Sequence, residues 1–185
     1  YIKMKKYSSS YIYFRENYFE KPKEIFKFVN KHAQLTEEDC ILDIGCARGE
    51  FLYFLRKKNK LNSKMYGLDQ DRDSIAYAKN KSPNIKTDFY CTDFLKYKTK
   101  KKFSKIFIIG VIECFDNLDN FVRKISKISS VNSKIYLFCK SNDSDIDVVS
   151  NYLNKVEKKS WQITSFWSHK TLLEKFKKYN FKFKI

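Results

Sequence analysis

The sequence predicts an α/β fold: a doubly wound, mostly parallel sheet with helices on both faces. Three observations carry this prediction. Short apolar runs alternate with amphipathic stretches along the whole chain, as right-handed crossovers between parallel strands require. A turn of small residues, Gly45-Cys46-Ala47-Arg48-Gly49, follows the first apolar run and leads straight into a helical pattern, so the backbone can bend sharply there and approach a ligand. The 185 residues, 43% hydrophobic and 17% aromatic, suffice for one sizeable core but not for two, so a single domain is expected.

The elements follow in order. Residues 22–34 repeat Ile25, Phe26, Phe28, Val29 and Ala33 at helical spacing and form a lead-in helix. Residues 40–44 are a buried strand, 50–58 a helix with Phe51, Leu52, Phe54 and Leu55 inward, and 64–68 a second strand. A short helix covers 73–80, strands cover 86–91 and 105–109, and a helix at 118–129 turns Phe121, Val122, Ile125 and Ile128 to one face. A fifth strand spans 134–139. Helices are expected at 145–158 and 171–179, and a last strand at 181–185 that the end of the sequence cuts off. Either the chain is a fragment of a longer protein, which the start at Tyr1 fits, or its ending is abbreviated. The expected division is a lead-in over 1–39, whose aromatic stretch Tyr11, Tyr13, Phe14, Arg15, Tyr18 and Phe19 forms a lid or plain packing, and a core over 40–185.

Composition excludes several classes. No apolar run approaches the roughly 20 residues needed to span a bilayer, and the start lacks a signal-peptide layout, so a cytoplasmic location is expected. Five cysteines, at 40, 46, 91, 114 and 139, are odd in number and without a CxxC pair, which argues against disulfides and a zinc site. The net charge of +17 suggests a polyanion partner. However, only five of the 38 basic residues are arginine, and the lysines are scattered. Bidentate contacts to bases favour arginine, so nucleic acid is kept as the second partner class and a small molecule as the first. Oligomeric state is not legible.

In a doubly wound sheet, ligands bind beyond the carboxyl ends of the strands. After the first strand come Asp43, Gly45, Cys46, Ala47 and Gly49. After the second comes Asp69-Gln70, about 20 positions beyond the turn, where a carboxylate can accept from both ribose hydroxyls. Thr92-Asp93-Phe94 follow the third strand and Gly110-Val111-Ile112-Glu113 the fourth. Each alone is weak, since an Asp at a strand end is more often a cap or turn residue. Their order is the signal.

With these segments in view, the chain resembles the Rossmann-like class I S-adenosylmethionine-dependent methyltransferases of the small-molecule type. ILDIGCARGEFL is similar to their first motif, YGLDQDRDSIAYAK to the second strand with its acidic end, YCTDF to the adenine-contacting turn, FSKIFIIGVIECFDNLDNFVRKI to the fourth strand and helix, and SFWSHKTLLEKFKKYNFKFKI to the C-terminal segment. The resemblance implies S-adenosylmethionine as cofactor. Asp43 and Gly45 would lie by its methionine end, with Gly110 and Val111 near the methyl group. Asp69 would hold the ribose, Asp93 the adenine amino group, and Phe94 would lie near the ring. Three positions depart from the family pattern. Ala47 stands where relatives often have glycine, harmless at negative φ and a backbone problem at positive φ. Cys114 stands where many relatives have histidine, and Asn180 replaces the glycine after the last helix.

A nicotinamide-binding reading needs Gly-x-Gly-x-x-Gly for pyrophosphate, whereas this chain has Gly45-x-Ala47-x-x-Glu50. A carboxylate opposes a diphosphate but suits a cationic methyl donor. A hydroxyl acceptor would need a base, for which Glu113, His169 and His32 are candidates. His169 equally suits the first turn of a helix capped by Ser168, and His32 suits a helix end. The expected reaction is methylation of a small polar acceptor, O-methylation of a sugar first. The alternatives are an RNA or other nucleic-acid methyltransferase and a non-catalytic fold that only binds S-adenosylmethionine.

Overall fold

The computed structural model describes residues 18–81, 86–153 and 162–183. Five parallel strands, β1 (Cys40–Ile44), β2 (Lys64–Asp69), β3 (Thr87–Cys91), β4 (Phe103–Ile109) and β5 (Ser129–Phe138), lie in the order β3-β2-β1-β4-β5. The chain runs outward from β1 to β3, returns to the far side of β1, and runs outward again. The reversal between β1 and β4 sends the two following loops in opposite directions and opens a crevice at their carboxyl ends. β1 is central, with Asp43 paired to Gly67 on one side and Phe107 on the other.

Alternation along the strands divides the core in two. Helices α1 (Glu24–Ala33), α2 (Glu50–Asn59) and α3 (Arg72–Lys81) cover the face bearing Ile41, Met65, Phe89 and Phe107. On the other face, α4 (Leu118–Ile128) and α5 (His169–Lys177) close over Leu42, Ile44, Tyr66, Leu68, Ile106 and Ile108. Fully burying each large apolar side chain contributes roughly 1.5–3 kcal/mol. The spacing of Leu118, Phe121, Val122, Ile125 and Ile128 makes α4 amphipathic, and all five are buried.

Local chemistry sets the helix ends. The Asn117 side chain accepts from the backbone N–H of Asp119 (2.9 Å) and Asn120 (3.3 Å) at the start of α4, and Ser168 Oγ accepts from Thr171 N–H (3.2 Å) at the start of α5. Asn180 has φ 62°. It ends α5 with the two hydrogen bonds of a Schellman motif, Phe181 N–H to Phe176 O and Asn180 N–H to Lys177 O, and the Phe176 and Phe181 rings meet at 5.8 Å. His32 lies exposed in the last turn of α1 with Nδ1 2.9 Å from Phe28 O.

Two expected elements differ. The helix predicted over 145–158 is replaced in its described part by β7 (Val148–Tyr152), which pairs antiparallel with β8 (Gln162–Ser168); a two-residue strand, β6 (Ser141–Asn142), lies parallel on the other side of β8. Residues 154–158 of that helix lie outside the described residues. The β-branched pair Val148-Val149 is stiff at χ1 and favours extended backbone once a partner strand is present. That partner, β8, was itself unforeseen. The final strand is also absent over 181–183. There Phe181 and Phe183 each place a ring 5.8 Å from that of Phe176, covering the helix rather than extending a sheet; residues 184–185 lie outside the described residues. No helix among the described residues is long and apolar enough to cross a membrane, and all five cysteines are free.

Candidate active site

The turn after β1 is built from left-handed backbone. Gly45, Ala47 and Gly49 have φ 73°, 45° and 76°, so every second residue turns the chain back and aims its N–H groups inward. Gly45 and Cys46 N–H donate to Leu68 O (2.8 and 2.9 Å), and Ala47 N–H donates to Asp69 Oδ2 (2.8 Å). The loop is thereby pinned to the end of β2. Glycine is required at 45 because a Cβ there would lie 2.1 Å from Val111 Cγ2, so the loops after β1 and β4 touch across the switch point. Ala47, at positive φ, is the strained case foreseen from the sequence and carries a penalty of about 1–2 kcal/mol.

Beyond these loops lies a cleft of about 510 Å³. Eleven of the twelve predicted cofactor residues line it: Asp43, Gly45, Cys46, Ala47, Asp69, Gln70, Thr92, Asp93, Phe94, Gly110 and Val111. The twelfth, Gly49, does not. A Cβ there would lie 2.6 Å from the Phe89 ring, so this glycine lets α2 pack on the sheet. Asp69 Oδ1 accepts from Asp71 N–H (2.9 Å). With Ala47 on Oδ2, each carboxylate oxygen is oriented and retains capacity for a further donor. Asp93 Oδ1 accepts from Leu95 N–H (2.9 Å). Phe94 is buried and packs on Phe121 with ring centroids 5.1 Å apart, so it forms the floor of the cleft. A Cβ on Gly110 would meet nothing within 4 Å, which leaves open space beside that backbone.

Glu113 and His169 are placed elsewhere. Glu113 does not line the cleft; its Oε1 accepts from Lys140 N–H (3.0 Å), and its buried Oε2 has no partner among the described residues. The short 3-10 turn Ile112–Cys114 instead turns Cys114 to the cleft, followed by Phe115 and Asp116. Buried Ser165 of β8 fixes that turn by donating toward Ile112 O and Glu113 O. His169 Nδ1 sits 2.6 Å from Asp143 Oδ1 on the surface. Of the aromatic lid stretch, Phe19 packs on Tyr53 and Tyr77 (5.1 and 5.8 Å) and Tyr18 lies under Lys23; Tyr11, Tyr13, Phe14 and Arg15 lie outside the described residues.

The charge around the cleft opposes that of the chain. Asp43, Glu50, Asp69, Asp71, Asp93 and Asp116 line it, with Lys23 as the basic side chain among the described lining residues, in a protein of net charge +17. Burial, reinforced by Asp69 and Glu50, pushes the Asp43 carboxyl well above the ordinary range. Burial also raises Asp69, with hydrogen bonds from Asp71 and Ala47 opposing it. Burial and the acids Asp43 and Asp69 raise the Cys46 thiol, and burial with Glu113 raises Cys139 to about 11, so neither is a ready nucleophile. Glu50 is neutralised by Arg48, whose Nε and Nη2 reach Glu50 Oε1 at 2.8 and 2.7 Å inside the protein. Such a wall suits a ligand carrying positive charge. Lys23, Phe51 and Asp116 also line the cleft and left no local signal in the sequence, whereas Glu50 was legible there as the carboxylate beside the turn.

Comparison with known proteins agrees with this geometry. A family model described as a methyltransferase domain matches residues 35–183. A probable (S)-tetrahydroprotoberberine N-methyltransferase from Papaver bracteatum is 26% identical over 110 residues, 58% of this chain and 30% of its own length. A tRNA (guanine-N(7)-)-methyltransferase from Clostridium botulinum is 32% identical over 117 residues, 61% of this chain and 46% of its own. The chain therefore spans between about a third and a half of these relatives. Among solved structures, the plantazolicin methyltransferase BpumL in complex with SAH is 28% identical, with a TM-score of 0.58 over 72% of this chain and 52% of that one. An S-adenosylmethionine-dependent methyltransferase from Clostridium acetobutylicum shares the fold, with a TM-score of 0.63 over 91% of this chain and 82% of that one, at 14% identity. With the doubly wound sheet, the left-handed turn after β1 and a family match over most of its length, the chain belongs to the methyltransferase-domain family.

Proposed function

We propose that this chain binds S-adenosylmethionine in the cleft and directs its methyl group to a small polar acceptor, with an amine favoured over a hydroxyl. The carrying observation is the acidic cleft at the switch point of a strongly basic chain, which attracts a sulfonium and an ammonium and repels a diphosphate. The residues fit the group: Gly45 and Gly110 leave backbone exposed to it, Asp69 keeps acceptor capacity for ribose hydroxyls, and Asp93 faces the adenine end. When bound, the cofactor supplies an electrophilic methyl carbon. The protein's task is then orientation and exclusion of water. Val111, held against Gly45, and the Cys114 to Asp116 wall would orient the acceptor.

The expected O-methylation of a sugar needs a group to take the hydroxyl proton. Neither Glu113 nor His169 lines the cleft, and the thiols there are held protonated. The acidic wall would draw in an amine as its ammonium, which gives its proton to solvent before the freed lone pair attacks the methyl carbon, so no strong protein base is needed. The plant relatives named N-methyltransferases support this reading. The RNA alternative draws on the tRNA methyltransferase relative and on a basic hollow of about 360 Å³ lined by Arg123, Lys124 and Lys127. Lys124, however, is spent on the Leu95 and Tyr97 carbonyls and Arg123 on Asn120.

The test is calorimetric titration of S-adenosylmethionine into wild type and Asp69→Ala. Loss of hydrogen bonds to a charged group predicts weakening by about 1.5–3 kcal/mol, roughly 10–100-fold. No binding by wild type overturns the reading, and equal binding by the variant overturns the ribose assignment. Release of S-adenosylhomocysteine with amine but not sugar acceptors then checks the acceptor class, and a steep salt dependence of RNA binding would favour the alternative.

A further inference from the structure

We infer that Lys23 anchors a carboxylate at the amino-acid end of the bound cofactor, an assignment that rests on the S-adenosylmethionine reading above. S-adenosylmethionine carries one anionic group, its carboxylate, and Lys23 is the one basic side chain among the described residues lining a cleft otherwise walled by acids. Matching that cation to that anion leaves the carboxylates for the sulfonium, the ammonium and the hydroxyls.

Position supports the match. Lys23 immediately precedes α1, whose Phe26 packs on Phe51 of α2 at 5.1 Å between ring centroids. Asp43 follows two residues after Ile41 on β1 and so lies on the same sheet face, the one that α1 and α2 cover. Lys23, Asp43 and Glu50 therefore share the flank of the cleft next to the β1 turn, across from Thr92 and Asp93. That flank is where the amino-acid end lies if Asp93 takes adenine and Asp69 takes ribose.

The side chain is also prepared for an anion. Lys23 is half-buried, and its Nζ lies 4.4 Å from the Tyr18 ring centroid and 5.8 Å from that of Phe26. These rings limit where the ammonium can go and remove part of its water. Burial lowers its pKa from the ordinary lysine value; nearby Glu50 opposes that and Arg48 adds to it. An incoming carboxylate offsets the desolvation with a charge-assisted hydrogen bond.

The experiment measures binding of S-adenosylhomocysteine and of 5′-methylthioadenosine, which lacks the amino-acid end, to wild type, Lys23→Met and Lys23→Arg. Methionine keeps an apolar stem against Tyr18 and Phe26. A lost charged hydrogen bond predicts that Lys23→Met binds S-adenosylhomocysteine roughly 10–100-fold more weakly, while 5′-methylthioadenosine stays within about twofold and Lys23→Arg recovers most of the loss. Unchanged binding of S-adenosylhomocysteine overturns the assignment. So does an equal fall for both ligands, which would mean that Lys23 only shapes the cleft. Wild type binding neither ligand would defeat the cofactor reading itself, a result separable from the other two.

Discussion

Gly45→Ala probes the contact that joins the two loops of the switch point. An added Cβ would lie 2.1 Å from Val111 Cγ2 and 3.2 Å from Val111 Cβ and Cγ1, against ordinary carbon contacts of about 3.5–4.0 Å. The residue must also hold φ 73°, which costs an L-residue about 1–2 kcal/mol. Fewer unfolded conformations return about 0.4–1 kcal/mol, and overpacking adds about 1–3 kcal/mol. The net loss centres near 3 kcal/mol, which at roughly 2–4 °C per kcal/mol for a chain of this size lowers the melting temperature by about 6–12 °C. Circular dichroism melts of Gly45→Ala, Val111→Ala and the double variant give the check as a cycle. In the Val111→Ala background the 2.1 Å clash is gone and the 3.2 Å approach to Cβ is left for a small shift to relieve, so Gly45→Ala should cost mainly the backbone part, about 1 kcal/mol. Ala47→Gly, two residues on at φ 45°, should move the other way, stabilising by up to roughly 1.5 kcal/mol. The reasoning fails if Gly45→Ala melts within about 1 °C of wild type or loses as much in the Val111→Ala background.

Two further predictions concern buried charge. Because Asp43 is raised in the folded protein by burial and by Asp69 and Glu50, the folded chain keeps a proton that the unfolded chain releases from about pH 4 upward. The ligand-free protein should therefore lose stability as pH rises from there through the raised value. Asp43→Asn should flatten that dependence in melts across pH 4 to 8, and an unchanged slope would show that another group carries it. Arg48→Met strands Glu50, whose side chain is 6% exposed, and should destabilise by about 3–5 kcal/mol in urea unfolding. Adding Glu50→Gln should recover much of that loss, and a single-variant cost below about 1 kcal/mol would mean that Glu50 is neutralised in another way.

Legibility followed the range of the physics. The five parallel strands and most of the lining of the candidate cleft were readable because they depend on period-2 burial, on small residues at turns and on carboxylates at strand ends. The structure places 11 of the 12 residues predicted to bind the cofactor on one cleft. The misses share a different cause. Glu113 and Cys114 are neighbours in a 3-10 turn, and their identities cannot reveal which faces the cleft; Lys140 N–H draws Glu113 away, and that partner lies 27 residues on.

The sequence by itself determined the parallel sheet, the turn at Gly45 to Gly49, the αL helix end at Asn180 and the order of Asp43, Asp69 and Asp93 along it, because backbone dihedrals and local burial encode each of these. Only the tertiary structure decided that Val148–Tyr152 is a strand, since its partner at Gln162–Ser168 stabilises extended backbone only once the chain has folded back on itself. It also brought Lys23, from outside every motif, to the acidic cleft and bound Glu50 to Arg48. Such meetings depend on how helices pack across a finished sheet, and no local pattern carries that information.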